Sequence, residues 1–259
     1  MSWGKGNRAD ADGFSTLRRR DMTDLPTSTR TWSYVDFILV ILGGFLGAGV
    51  FAAMGFFVEN DEAFIILALA GQYVGHLFVF WLINRSKPPN SLGLEAHGRD
   101  TVYVVAGVGL QLAISILFLP VVLLLFPDGG PAQEIGSVMS GLNSTAARIG
   151  ALFISVVLAP VTEEIAFRGV LIKALGARSN RKIIVISAAV FSLFHMAGLA
   201  TENFAQAAAI VLPQLFIVGV ALAWLTLRSG RLGPAIFLHS GFNLLAAIVL
   251  LLPADLVDV

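Results

Sequence analysis

The sequence is dominated by seven long apolar segments, each close to the roughly 20 residues that a helix needs to span a bilayer. They cover residues 34–58, 63–83, 101–126, 149–172, 183–201, 206–227 and 232–252. The composition agrees, since 56% of the residues are hydrophobic and only 13% are charged, whereas soluble domains usually carry about 25% charged residues. The chain is therefore predicted to be all-α: a polytopic transmembrane helical bundle of about seven spans.

Basic residues between the segments predict how the chain threads the membrane. Those after the second, fourth and sixth segments fall on the same side as the basic run at 18–20. They are Arg85, Lys87, Arg99, Lys173, Arg178, Arg181, Lys182, Arg228 and Arg231. The opposite side has Arg148 as its only basic loop residue. Lys and Arg favour cytoplasmic loops, so we expect a multi-pass protein of the cell membrane with a cytoplasmic N-terminus and an external C-terminus.

The chain is predicted to divide into four regions around a single membrane domain. Residues 1–30 are polar and predict a disordered cytoplasmic tail, and 253–259 form a short C-terminal tail. Residues 31–144 hold the first three spans and an external loop rich in Gly, Ser and Pro, and 145–252 hold the four spans in which polar motifs cluster. We therefore expect the chemistry to lie in the second half of the chain.

The net charge, a small-residue pattern and the absence of cysteine limit which partners and ligands the sequence predicts. The net charge is zero, so there is no basic surplus to neutralise phosphates, and nucleic acid is not expected. Gly43 and Gly47 form a GxxxG pattern in the first span, which is typical of close helix packing, with a homo-oligomer seam as the alternative. The chain has no cysteine, so histidine and carboxylate are the remaining strong metal ligands.

The fourth segment carries three charges that a bilayer should reject: Glu163, Glu164 and Arg168. Each costs about 2.5–3.5 kcal/mol at the centre of a span on insertion scales, so they need partners or a polar cavity. Glu164 and Arg168 are four residues apart and can form an ion pair on one helix face. Glu163 points about 100° away and is left over. It is the candidate general base.

Two histidines lie at compatible depths in later segments. His195 is about a dozen residues into the fifth segment and His239 about seven into the seventh, both counted from the cytoplasmic side, with Asn243 one turn further on the same face. A third, His76 in the second segment, is interpreted as a histidine bonded to a neighbour. Glu163, His195 and His239 could hold zinc or another divalent metal, or Glu163 could act directly while His and Asn donate to an oxyanion.

Other hydrolase signatures are absent. The sequence contains neither HExxH, the helix motif of common zinc proteases, nor GxSxG, the motif of many serine hydrolases. No organic cofactor is expected. The polar residues instead form three ordered motifs: EEIAFR at 163–168, FSLFH at 191–195 and HSGFN at 239–243.

These motifs resemble the EExxxR, FxxxH and HxxxN/D pattern of the CPBP family of intramembrane proteases, which includes CAAX prenyl endopeptidases and Abi-type bacteriocin-processing proteins. The resemblance covers roughly residues 145–250. It implies an endopeptidase that cleaves a membrane-tethered peptide or protein near the cytoplasmic face. By position, Glu163 would activate water, His195 would assist it or bind metal, and His239 with Asn243 would bind metal or stabilise the oxyanion. The supporting residues would be Glu164 and Arg168, which hold the geometry, and Phe191, which packs.

Two other functions remain open at this point. Ionisable residues within spans also mark proton and metal transporters, although the outer halves of these segments are nearly all apolar. A non-catalytic membrane scaffold with a peptidase-like fold would keep the polar groups only to join helices. Complete motifs favour the protease.

Overall fold

The computed structural model describes residues 31–126, 141–199 and 204–251, and within these ranges the chain is helical with no strand. The helices are α1 (Tyr34–Met54), α2 (Asp61–Asn84), α3 (Val102–Leu125), α4 (Thr145–Leu175), α5 (Asn180–Phe194), α6 (Phe204–Ser229) and α7 (Gly233–Leu251). The predicted tails at 1–30 and 253–259, and most of the predicted external loop, lie outside the described residues. The predicted all-α class is confirmed.

Six described stretches are long and apolar enough to cross a membrane: the helices α1 to α4 and α6, and α5 together with the 3-10 turn that continues it to Gly198. Helix α7 has a shorter apolar stretch, Gly233–Val249. Large apolar side chains point away from the protein, for example Ile116 at 70% and Leu124 at 79% exposure on α3. Exposure on this scale suits lipid rather than water. The chain is therefore an integral multi-pass membrane protein, while the orientation of its termini stays a prediction.

A glycine seam brings α1 and α2 into close contact. A Cβ added at Gly47 would collide with the Gly71 carbonyl oxygen, and one added at Gly75 with the Gly43 carbonyl oxygen. The GxxxG face of α1 is thus buried against a matching small-residue face of α2, which agrees with the packing interpretation. A homo-oligomer would have to use another surface, and it stays a prediction.

Two further seams fix the helices that carry the histidines. Gly241 of α7 meets the backbone of Val104 on α3, and Gly219 of α6 lies so close to α5 that an added Cβ would be 2.9 Å from the Ala188 Cα. Side chains larger than glycine would separate these pairs. The contacts therefore hold α7 against α3 and α5 against α6.

Helix α4 departs from regular α-helical geometry in two places. Residues Ile154–Leu158 and Glu164–Leu171 are π-helical, on either side of the short α-helical stretch Ala159–Glu163. Pro160 in that stretch has no N–H to donate, and its ring crowds the carbonyl one turn earlier. Such π segments often occur at functional sites. Every residue of Glu164–Leu171 is buried. Glu163, the residue directly before this stretch, keeps part of its side chain exposed.

One buried and one partly buried ion pair join neighbouring elements at the end of the bundle predicted to be cytoplasmic. Lys87 lies 2.6 Å from Asp36 at the start of α1, and Arg231 lies 2.8 Å from Asp100 before α3. The hydrogen bond to Asp100 raises the pKa of Arg231 above its usual range. Lys87 and Arg231 both contributed to the predicted orientation in the membrane, and each also forms an ion pair that joins two elements.

Candidate active site

Glu163 faces both motif histidines. Its Oε2 atom lies 3.9 Å from Nε2 of His195 and 3.8 Å from Nε2 of His239. The three side chains come from α4, from the 3-10 turn that follows α5, and from α7. Glu163 and His195 keep 17% and 19% of their side-chain surface exposed, so a reactant can reach them. The structure thus brings together the three residues predicted to form the reaction centre.

The end of α5 orients the His195 ring. The helix stops at Phe194, and the His195 backbone N–H bonds to the Ser192 and Leu193 carbonyls. This leaves the Phe191 carbonyl, its normal helical partner, for the ring Nδ1 at 2.8 Å. A carbonyl oxygen only accepts, so Nδ1 carries the hydrogen and the neutral ring presents its Nε2 lone pair to Glu163.

Glu164 orients the second ring in the same way. Its Oε1 lies 2.9 Å from Nδ1 of His239, and an ionised carboxylate only accepts hydrogen bonds. Nδ1 of His239 therefore donates, and Nε2 again points its lone pair at Glu163. A carboxylate behind the outer ring nitrogen is a common way to fix the tautomer of a functional histidine.

Three hydrogen-bond acceptors consequently converge at the centre. Within the described residues, Oε2 of Glu163 is buried and has no hydrogen-bond partner. Buried acceptors need a donor or a positive charge nearby. A water molecule, a ring proton or a metal ion would each meet that requirement.

The donor chemistry suits zinc, but the spacing is wide. Two ligands of a tetrahedral zinc, each about 2.0–2.2 Å from the metal, lie roughly 3.4 Å apart, whereas the Glu163 oxygen is 3.8 and 3.9 Å from the two nitrogens. In the part of the chain that the structure describes, no group of three or more His, Cys, Asp or Glu side chains has the spacing of a metal site. The residues as placed do not fit the ion, and zinc binding stays a prediction.

Glu164 has a second partner in the predicted ion pair. Nη1 of Arg168 lies 3.0 Å from the same Oε1 atom, and both side chains are completely buried. Nη2 of Arg168 also donates to the Gly219 carbonyl of α6 at 3.4 Å. The carboxylate thus neutralises a buried cation and orients His239 at once. The sequence predicted only the first role, because His239 is 75 residues away.

Phe191 packs at the centre of the polar groups. Its ring lies 4.7 Å from the His195 ring and 5.8 Å from the His239 ring, both edge-on, and 4.2 Å from the Arg168 guanidinium carbon. The guanidinium distance is that of a cation–π contact in a dry site. The side chain therefore contacts three of the motif residues.

Asn243 joins α7 to α4. Its Nδ2 donates to the Ser155 carbonyl at 2.9 Å, within the first π-helical stretch. This bond engages one of the two amide hydrogens and fixes the register of α7 one turn beyond His239. Oxyanion or metal binding by Asn243 stays a prediction.

Three polar residues of α2 were missed by sequence reasoning. Gln72, Tyr73 and His76 line a small cavity together with Glu163. A sign of this was available, since three polar side chains within five positions interrupt an apolar helix. Of the three, only His76 was considered from the sequence, and it was interpreted as a histidine bonded to a neighbour.

Comparison with known proteins bears on the region that holds these motifs. No curated protein and no solved structure matches the chain. Residues 145–245 match the family model described as type II CAAX prenyl endopeptidase Rce1-like, and that stretch contains all three motifs. Residues 145–245 are therefore similar to an Rce1-like type II CAAX prenyl endopeptidase domain, consistent with the CPBP family that the three motifs resemble.

Proposed function

We propose that the protein is an intramembrane endopeptidase that hydrolyses a peptide bond of a membrane-associated substrate, with Glu163 as the general base. The observation that carries this proposal is the convergence of Glu163 Oε2 with the Nε2 atoms of His195 and His239 at 3.8–3.9 Å. A water molecule placed there can donate one hydrogen to the carboxylate and the other to a histidine lone pair. Both hydrogen bonds would hold its oxygen ready for attack.

The reaction then needs one proton relay. The water oxygen bonds to the scissile carbonyl carbon while its proton passes to Glu163, and the carbonyl oxygen becomes an oxyanion. The protonated Glu163 next gives that proton to the leaving amine as the C–N bond breaks. His195, 3.9 Å from the carboxylate, keeps the water in place. The products are a new carboxylate and a new amine.

The oxyanion would form on the side of α7. The Nε2 lone pair of His239 would first take up a proton from solvent, and the ring can then donate this Nε2–H to the oxyanion, because Nδ1 is already occupied by Glu164. Asn243, one turn away, is the second candidate donor. Both residues are held from behind, His239 by Glu164 and Asn243 by the Ser155 carbonyl, and this preorganisation is what oxyanion stabilisation requires.

The substrate would be a peptide or protein tethered to the bilayer. Glu163 and the histidines lie among helices that are long and apolar enough to cross a membrane, and the predicted orientation opens the site toward the cytoplasm. A membrane anchor would bring the scissile bond to this depth. We expect the protein to act in the cell membrane, with the lipid bilayer as its immediate partner.

The direct test uses Glu163→Gln in liposomes, with Glu59→Gln as the matched control at an exposed position outside the site. A prenylated CAAX peptide and an unprenylated peptide carrying a transmembrane anchor serve as two substrates. Because glutamine cannot take the proton, cleavage should fall by about 10²–10⁴-fold, while the control should match the parent. Unchanged cleavage of both substrates by Glu163→Gln would refute the proposal.

Mass spectrometry can identify the natural substrate. Membrane peptides from cells expressing the parent protein would be compared with those from cells expressing Glu163→Gln. New C-termini that depend on Glu163 would name the substrate class and the cleaved bond together. Glu163-dependent proton or metal flux in the same liposomes, without proteolysis, would favour the transporter instead.

A further inference from the structure

Helix α2 contributes a polar wall to the cavity beside Glu163. Gln72, Tyr73 and His76 line this cavity together with Glu163 and Thr162 of α4, and the remaining lining is apolar. The α2 residues lie outside 145–245, the segment that matches the endopeptidase model. Their position next to the candidate base is thus not explained by the family motifs.

The cavity has about the size of one water molecule. Its volume of ≈ 10 Å³ is at the lower limit of the roughly 10–15 Å³ that a buried water needs. Such a water also requires two to four polar partners. Gln72, Tyr73, His76, Thr162 and Glu163 can supply donors and acceptors in that number.

Two buried atoms at this cavity still need hydrogen-bond partners. Among the described residues, neither Oε2 of Glu163 nor Nδ1 of His76 has a hydrogen-bond partner of normal geometry, and both atoms are buried. The Gln72 backbone, one turn earlier, also interacts with the His76 ring. His76 is only 6% exposed, so bulk water cannot satisfy its ring nitrogen. A single bound water could bond to both atoms.

The glycine seam fixes the position of this wall. A Cβ at Gly44 of α1 would overlap the His76 ring, so the ring occupies space that only glycine leaves open. The Tyr73 ring lies 6.3 Å from it on the same helix. Tyr73 and Glu163 line the same cavity. The α1–α2 contact thereby holds a polar face of α2 against the reaction centre.

We propose that Gln72, Tyr73 and His76 are positioning residues that hold a buried water against the Glu163 carboxylate in this cavity, and that this water sets the base for the nucleophilic water facing His195 and His239. The catalytic unit then includes α2 as well as residues 145–245. This inference rests on the proposed function, in which Glu163 is the general base. The α2 side chains exchange hydrogen bonds with the water and form no covalent bond. The proton still passes to Glu163.

The test compares His76→Leu and Gln72→Leu with Gln111→Leu, a matched control on α3 outside the site. The α2 groups bond to the water and not to the substrate, so kcat should fall about 10–100-fold while KM changes less than about twofold. His76→Gln restores a polar side chain and should recover most of the lost kcat. Tyr73→Phe, which removes one hydroxyl, is compared with Tyr103→Phe on α3.

A cavity-filling variant tests the same water without touching a polar group. Ala166 lines the cavity and is 2% exposed, so Ala166→Val should displace the water and lower kcat. Ala159→Val, at a buried position of α4 outside the cavity lining, is the control for overpacking. Thermal unfolding in detergent confirms that each variant is folded before its kinetics are compared.

The outcomes separate this inference from the proposed function. If Glu163→Gln is inactive while the α2 and Ala166 variants keep the parent kcat, the water-holding role is refuted and the endopeptidase stands. If His76→Gln fails to restore a kcat lost in His76→Leu, the role of His76 is packing, which also refutes the inference. If Glu163→Gln keeps full activity, the proposed function itself falls.

Discussion

Replacing Glu164 should separate folding from catalysis, because its Oε1 atom has two partners. Glu164→Leu leaves the Arg168 cation without its anion in a site where both side chains are 0% exposed and 3.0 Å apart. Breaking a buried pair in this way costs about 3–5 kcal/mol. Arg168 keeps the Gly219 carbonyl and the Phe191 ring, so we expect a loss of about 3 kcal/mol, at the lower end.

The double variant Glu164→Leu/Arg168→Met removes both charges and fills the space with apolar groups. Such replacements are often neutral or stabilising, so its unfolding free energy should return to within about 1 kcal/mol of the parent. Its kcat should not return. Nδ1 of His239 loses its acceptor at 2.9 Å, and loss of a group that orients a functional histidine typically costs about 10–100-fold.

Reversible unfolding in mixed micelles, followed by tryptophan fluorescence, measures the unfolding free energy, and peptide cleavage in liposomes measures kcat. Arg168→Met alone completes the double-variant cycle. Two results would contradict the reasoning. One is a double variant no more stable than Glu164→Leu, which would show that the charges are not coupled. The other is a double variant with the parent kcat, which would show that His239 does not need Glu164.

Three further predictions test other parts of the site. Chelation of divalent metals in the liposome assay should leave cleavage unchanged if Glu163 activates water directly, and a loss that zinc alone reverses would assign a metal to the site. Gly44→Leu should destabilise the α1–α2 contact and lower cleavage because its side chain would overlap the His76 ring, whereas Gly49→Ala, where an added Cβ meets nothing within 4 Å, should leave both unchanged. Phe191→Leu should lose about 1–2 kcal/mol of stability, measured by thermal unfolding, because it removes the aromatic and cation–π contacts.

The meeting of Glu163, His195 and His239 could be predicted because all three follow one simple rule. Glu163, His195 and His239 each lie where an apolar helix has no reason to hold an ionisable group, and hydropathy places all three within the bilayer. The ion pair of Glu164 with Arg168 followed from their spacing of four residues. These inferences need only helix geometry and the cost of charge in lipid.

The missing details depend on contacts between distant segments or on local backbone geometry. The bond from His239 to Glu164 and the polar wall of α2 depend on how helices pack, which periodicity does not encode. The end of α5 at Phe194 was also missed, since the apolar segment continues to 201. That early end frees the Phe191 carbonyl to orient the His195 ring.

The placement of charge in α4 explains how a membrane helix can hold a free carboxylate. Glu164 and Arg168 neutralise each other in full burial. Among the described residues of α4 near the centre, this leaves the Glu163 carboxylate without a neutralising partner on its own helix, and its side chain remains 17% exposed. Every residue of the π-helical stretch from Glu164 to Leu171 is buried, and Glu163 lies directly before that stretch. The buried carboxylate of Glu164 thus orients His239, while the carboxylate of Glu163 stays available to accept a proton in the proposed reaction. Replacing the two carboxylates one at a time should therefore separate their roles: Glu163→Gln should lower liposome cleavage by about 10²–10⁴-fold, whereas Glu164→Gln should mainly reduce the unfolding free energy, because its amide oxygen can still accept from His239 Nδ1.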